Sequence, residues 1–222
     1  MKRITTMSTK QLIAPEVPVA EHDGLITISD LQNDIVIHLQ VWKFSHPGDT
    51  YQLLLNGRLV GSARSLPSPL PPVGSELTLM LAKEELCDDG IYEVTYRATN
   101  VVGELFADSP ETRIRIDRTP PGAALLAPLI FNTQSGNHLT ALLPGYAGME
   151  SGDTIQTLCN GHPGPTHIVQ PDELTLRPIE IVFEREVMQS LAADNVAISY
   201  TVTDRAGNLS IESLPVTLSM NM

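Results

Sequence analysis

A ten-residue string occurs twice in this chain: "GDTYQLLLNG", from Gly48 to Gly57, returns as "GDTIQTLCNG", from Gly152 to Gly161, with seven of ten positions identical at an offset of 104 residues. A fixed internal period of that size is the mark of a duplicated structural unit. It constrains the fold strongly, because whatever the first copy forms the second must be able to form as well. Divided by that period, 222 residues make two domains of ordinary size, each long enough to bury a core.

The period continues outside the opening string. Ile35, Ile37 and Leu39 alternate with their neighbours, and Leu139, Ala141 and Leu143 repeat the parity. Tyr92, Val94, Tyr96 and Ala98 match Val196, Ile198, Tyr200 and Val202, and Ile114 and Ile116 match Leu218 and Met220. Leu77, Leu79 and Leu81 correspond to Ile179, Ile181 and Phe183 at an offset of 102, and the next connection restores the difference. Alternation of period two predicts half-buried antiparallel strands. Asn56-Gly57 and Asn160-Gly161 predict type I′ hairpin turns, which need positive φ at both central residues. Stretches near 83–86 and 186–191 predict a single helical turn each. About seven short strands per ~100 residues describe an immunoglobulin-type sandwich. The expectation is therefore an all-β chain of two tandem Ig-like Greek-key β-sandwiches, residues 14–117 and 118–222, after a flexible lead of residues 1–13.

Cys87 and Cys159 fall at non-equivalent positions of the two copies, so no disulfide repeats with the unit and apolar packing has to hold each core. A net charge of −12 excludes a phosphate-backbone binder, which needs clustered Lys and Arg. In "MKRITTMSTKQLIAPEVP" no apolar stretch follows the basic residues, so it does not read as a secretory signal, and no segment suits membrane insertion. Three origins stay open: a chain kept in the cytoplasm, one exported without such a signal, and a piece of something larger. No nucleophile elbow, phosphate loop, zinc-protease helix or dinucleotide turn is present, and the expectation is a non-enzyme.

"DDGIYEVTYRATNVVGE" (Asp88–Glu104) and "YTVTDRAGNLS" (Tyr200–Ser210) resemble the penultimate strand and following hairpin of bacterial immunoglobulin-like repeats. "GDTYQLLLNGRLVG" is similar to an earlier hairpin of those repeats, and "IDRTPPG" (Ile116–Gly122) to the linker that joins consecutive copies. The second copy departs from the pattern at Val196, which stands where the first has Tyr92. The resemblance, which covers most of residues 15–222, implies a repeat of a biofilm- or invasin-type surface adhesin. Such a module is an adhesive or structural spacer, on the cell surface or secreted, with a protein or glycan partner. The alternative is a self-contained binding subunit that docks on a secreted particle, a toxin or a host glycan through its loops.

Four groups of residues suggest more specific chemistry. In this topology the first strand begins at the end where the loop after the second strand and the final hairpin loop lie, so Asp117 is expected near Asp204 and Asn208, with Glu150 and Asp153 on the adjacent loop. Hard oxygen donors converging on such a junction would hold Ca²⁺; the plainer reading is that they are turn residues capping their own backbone. Cys159, His162 and His167 sit close enough to suggest zinc, but Cys159 takes the slot of apolar Leu55, which favours a buried thiol. Trp42, Phe44, Tyr51 and Tyr146 suggest either a sugar platform or closure of the sandwich end, and packing is the expectation. "SLPSPLPPVGS" (Ser65–Ser75) contains a P-x-x-P arrangement, read as a stiff loop between strands.

Overall fold

The alternating stretches become strands that turn their apolar positions inward. In the computed structural model the chain divides into two units, Met1–Asp117 and Arg118–Met222, and the structure describes residues 12–101, 105–131, 138–175, 177–184 and 195–219. Unit 1 contains β1 (Leu25–Ile26), β2 (Ile35–Gln40), β3 (Thr50–Leu55), β4 (Arg58–Ser65), β5 (Glu76–Leu81), β6 (Gly90–Thr99), β7 (Phe106–Asp108) and β8 (Thr112–Ile116). Unit 2 contains β9 (Ile130–Phe131), β10 (His138–Leu143), β11 (Thr154–Cys159), β12 (His162–Ile168), β13 (Ile179–Glu184), β14 (Asn195–Thr203) and β15 (Val216–Ser219).

Each unit is a two-sheet sandwich in which strands distant in sequence lie side by side, β3 beside β6 and β11 beside β14. In unit 1 the order is β1-β8-β6-β3-β4 facing β2-β5, and in unit 2 it is β12-β11-β14-β15 facing β13-β10-β9. This is the Ig-like Greek key, and each unit closes its own apolar core. The 102-residue offset reflects register. Ile35, Ile37 and Leu39 pair with Leu81, Leu79 and Leu77, as Leu139, Ala141 and Leu143 pair with Phe183, Ile181 and Ile179. Lys83–Leu86 forms the expected single turn, a 3-10 one; the other expected turn, 186–191, lies outside the described residues.

Polar contacts recur with the strands. Asn56 and Asn160 have φ of 50° and 48° and are followed by Gly57 and Gly161 at 76° and 77°, the geometry of a type I′ turn. Each Asn also reaches the neighbouring strand: Glu93 N–H donates to Asn56 Oδ1 and Ala197 N–H to Asn160 Oδ1, both at 2.8 Å. The Tyr96 hydroxyl is hydrogen-bonded to the Ile13 backbone, and the Tyr200 hydroxyl donates to the Ala127 carbonyl at 2.8 Å. Burial is the main reason both phenols have pKa values pushed up to about 12. These tyrosines anchor the first segment of each unit. Tyr92 only turns back to the Asp88 carbonyl at 2.9 Å, so Val196 in its slot costs the second copy no anchor.

The first strand of each unit pairs differently: β9 lies antiparallel beside β10. β1 pairs parallel with β8, a close approach that requires Gly24, at φ +86°, because a Cβ there would lie 2.5 Å from the Arg113 carbonyl oxygen. Beside β6 and β14, Ser109 Oγ accepts from Tyr96 N–H and Ser213 Oγ from Tyr200 N–H, each at 3.0 Å. Removing either hydroxyl leaves a buried N–H without a partner. Ser109→Ala and Ser213→Ala are each expected to lower stability by about 1–3 kcal/mol, with the urea midpoint of the unit carrying the substitution shifted.

Candidate functional site

Of the residues singled out from the sequence, Trp42, Phe44, Tyr146, Glu150 and Asp153 lie in the loops between the second and third strands of the two sandwiches. In unit 1 this is loop 41–49, closed by Asp49, whose side chain is buried. Its Oδ2 accepts from His46 N–H and its Oδ1 from Val101 N–H, both at 2.8 Å, so one carboxylate ties the loop to the final hairpin. Asp153 takes the same position in unit 2 and is 0% exposed. Its Oδ2 accepts from Glu150 N–H at 3.0 Å and from the Tyr146 hydroxyl at 2.8 Å, while Oδ1 is buried without a hydrogen-bond donor. Burial raises the Asp153 pKa and the charges of Asp204 and Glu150 add to the rise, against the lowering effect of its two donors. Burial also pushes the Tyr146 phenol up.

The residues proposed for calcium fall in both units. Asp117 closes unit 1, and Glu150, Asp153, Asp204 and Asn208 belong to unit 2. Asp204 and Asn208 make a self-contained turn: Asp204 Oδ1 accepts from Asn208 N–H and Oδ2 from the Asn208 amide, both at 2.8 Å. Among the described residues one triplet of potential ligand atoms gathers within 4.8 Å, that of Glu21, His22 and Asp23. All three are exposed, and Asp23 lies 3.8 Å from Arg115. Glu150, Asp153 and Asp204 form no such triplet. The hard oxygen donors match calcium chemistry and Asp153 Oδ1 lacks a donor, but the carboxylates as they stand do not form a cage.

The other candidates separate clearly. Cys159 points into the core, where burial pushes its thiol pKa up. His162 is exposed, and His167 pairs with Glu173 at 2.8 Å, so the three residues do not converge. Trp42 and Tyr51 are buried and meet edge to face at 6.3 Å, as packing requires. Phe44 does not follow them, because its ring is 71% exposed. The proline-rich stretch is a connection held by Leu66 in the core and by Gly74 N–H on the Val41 carbonyl at 2.8 Å. Sequence reasoning missed Glu173, whose side chain is 1% exposed; a lone Glu beside Pro171 gives no periodic signal.

Burial by itself would raise the Glu173 pKa. The Gln170 N–H, the His167 hydrogen bond and the charges of His167 and Arg177 outweigh burial and hold it below the ordinary glutamate value. A carboxyl with a lowered folded-state pKa stabilises the fold above its unfolded pKa, and the contribution is lost as pH falls through the folded one. Glu173→Gln is therefore expected to flatten the loss of melting temperature between about pH 5 and pH 3, as measured by calorimetry across that range.

Neither a protein-family model nor a curated protein matches this chain in sequence. Among solved structures it is similar to a 1.5-MDa bacterial ice-binding adhesin, described for host cell surface retention, at TM-score 0.50 and 14% identity over 93% of this chain and 63% of that one. A Ca²⁺-stabilized adhesin that helps an Antarctic bacterium bind ice gives 0.49 and 14% over 94% and 48%. The chicken CNTN1 FN1–FN3 domains give 0.46 and 14% over 95% and 68%. The chain thus spans 63% and 48% of the two adhesin chains. The fold is that of Ig-like domains found in bacterial adhesins.

Proposed function

We propose that the chain is a non-catalytic tandem Ig-like module, serving as adhesive or structural spacer of a bacterial surface or secreted protein. What carries this reading is the distribution of sameness between the copies. Asn56 and Asn160, and Ser109 and Ser213, repeat both residue and contact, and Tyr96 and Tyr200 repeat the residue and its reach to the first segment. The loop residues change: Trp42 becomes Tyr146, His46 becomes Glu150 and Asn100 becomes Asp204. A pair that keeps its framework and varies its loops suits a module whose work is to persist as a folded body and present surfaces. The Ig-like fold and the linker-like "IDRTPPG" point the same way, although the fold serves many functions.

The test is cell fractionation with an antibody, combined with protease shaving of intact cells. A large, protease-sensitive surface band is the expected result. A soluble band at 24.1 kDa would replace the spacer reading with that of a self-contained binding subunit.

Calcium forms a second part of the proposal, favoured by the donorless Asp153 Oδ1. The ion would take that oxygen with Glu150, Asp204 and Asn208; Asp117, in unit 1, is not included. Millimolar calcium is expected to raise the melting temperature of unit 2 relative to chelator, and Asp153→Asn to abolish the difference. Equal melting temperatures of the unsubstituted chain in the two conditions would remove calcium from the proposal.

A further inference from the structure

Loop 41–49 of unit 1 is fixed at several points. Val41 N–H donates to the Ser75 carbonyl at 2.9 Å and its own carbonyl accepts from Gly74 N–H at 2.8 Å, and Asp49 holds the other end. Inside this rigid loop Phe44 has φ +60°, a conformation that is a genuine outlier for a bulky side chain. Its counterpart in unit 2 is Gly148, at φ +74°. The second copy thus uses the one residue that adopts this backbone without strain, whereas the first holds a phenylalanine there and turns its ring to solvent, 71% exposed. No packing gain offsets the strain. An observed outlier of this kind justifies a functional hypothesis.

The surroundings of Phe44 indicate what the ring would meet. A shallow pocket of about 90 Å³ is lined by Ile13, Val41, Trp42, Lys43, Val73 and other residues of the same loops. Ile13 and Val73 are 60% and 57% exposed. Trp42 is 3% exposed and its Nε1 is buried without an acceptor, whereas its counterpart Tyr146 spends its polar tip on Asp153. The nearby charge is positive although the chain carries −12 overall. Lys43, which adjoins Phe44 and is exposed, lies on the pocket wall. Two carboxylates of the adjoining elements are already engaged: Asp49 is buried in its hydrogen bonds, and Glu76 lies 3.2 Å from His38.

We propose that this end of unit 1 is a docking surface for an acidic segment of another protein, which inserts an apolar side chain beside Trp42 and packs against Phe44. The pocket walls are mainly apolar, which suits a side chain better than a sugar. An aromatic anchor in a small desolvated pocket is the usual centre of a protein interface. The partner's acidic residues would meet Lys43. This inference rests on the adhesive reading only in assuming that the chain meets other proteins.

The test is selection of a randomised 12-residue peptide display library on the purified full chain, with the Phe44→Gly chain as counter-selection. Enriched peptides are expected to carry an aromatic or aliphatic centre flanked by Asp and Glu. The best of them, made synthetically, should shift the emission of Trp42, the chain's single tryptophan. Phe44→Gly and Lys43→Glu should each weaken its binding at least tenfold. Phe44→Gly should also melt a few degrees higher, because it relieves the backbone. No enrichment, enrichment with basic flanks, or affinity unchanged by Phe44→Gly would each overturn the proposal. A lower melting temperature for Phe44→Gly would show that the ring belongs to the scaffold, and would overturn it too. Because the selection uses purified protein, its failure leaves the fractionation result untouched.

Discussion

In each unit a buried phenol connects the core to the backbone of the first segment. Tyr96 packs 6.5 Å from Trp42 and its hydroxyl reaches the Ile13 backbone; Tyr200 reaches the Ala127 carbonyl. With both cysteines free, no covalent link spans either sandwich, and the first segment must be held by hydrogen bonds and burial. A tyrosine suits that position because its ring contributes apolar contact while its hydroxyl can pair with a backbone group of the first segment as either donor or acceptor. With the first segment fixed, the two sheets can close, and the loops at that end acquire defined positions. The tyrosines' own backbone is held from the side, where Ser109 and Ser213 satisfy their N–H groups.

The sequence made the scaffold legible because burial in a strand has a period. Residues whose parity places them inside, such as Ile37, Ala141 and Phe183, are inside, and even the two-residue change of offset between β5 and β13 proved to be a matter of register. The hairpin turns were equally legible, since Asn-Gly is close to a direct statement of backbone conformation. Periodicity does not report where a polar tip goes. Tyr92 and Tyr96 look alike in sequence, two residues apart on one strand, yet only the second reaches across to the first segment. Chain entry was unreadable for the same reason. β1 depends on a single close approach at Gly24, not on any alternation.

At the candidate site the limit was different. Asp153, Glu150, Asp204 and Asn208 were identified by residue type and by topology, and the fold does bring three carboxylates close enough for Asp204 and Glu150 to act on Asp153. Residue type does not reveal how donors and acceptors are shared. Asp204 uses both of its oxygens on Asn208, which is the ordinary behaviour of Asp in a turn. Phe44 was grouped with Trp42 and Tyr51 on the sound premise that neighbouring aromatics pack together. What separates it is the sign of one backbone dihedral, and that became meaningful only when Gly148 appeared at the equivalent place.

Set side by side, the two loop ends show how duplication redistributed one set of polar atoms. In unit 1 the final hairpin supplies a donor, Val101 N–H, to Asp49, so the carboxylate is complete and the aromatic in the Trp42 slot is free to be an indole. In unit 2 the donor comes from the aromatic slot itself, Tyr146, and both Tyr146 and Glu150 donate to the same oxygen of Asp153. The first loop end leaves Trp42 Nε1 and Ser45 Oγ buried without a partner, and the second leaves Asp153 Oδ1. A buried unpaired group costs roughly 1–3 kcal/mol, and the Trp42 indole N–H and the Asp153 oxygen are of opposite character. The indole lacks an acceptor and the carboxylate oxygen a donor, so one framework leaves opposite polar groups unsatisfied at its two loop ends.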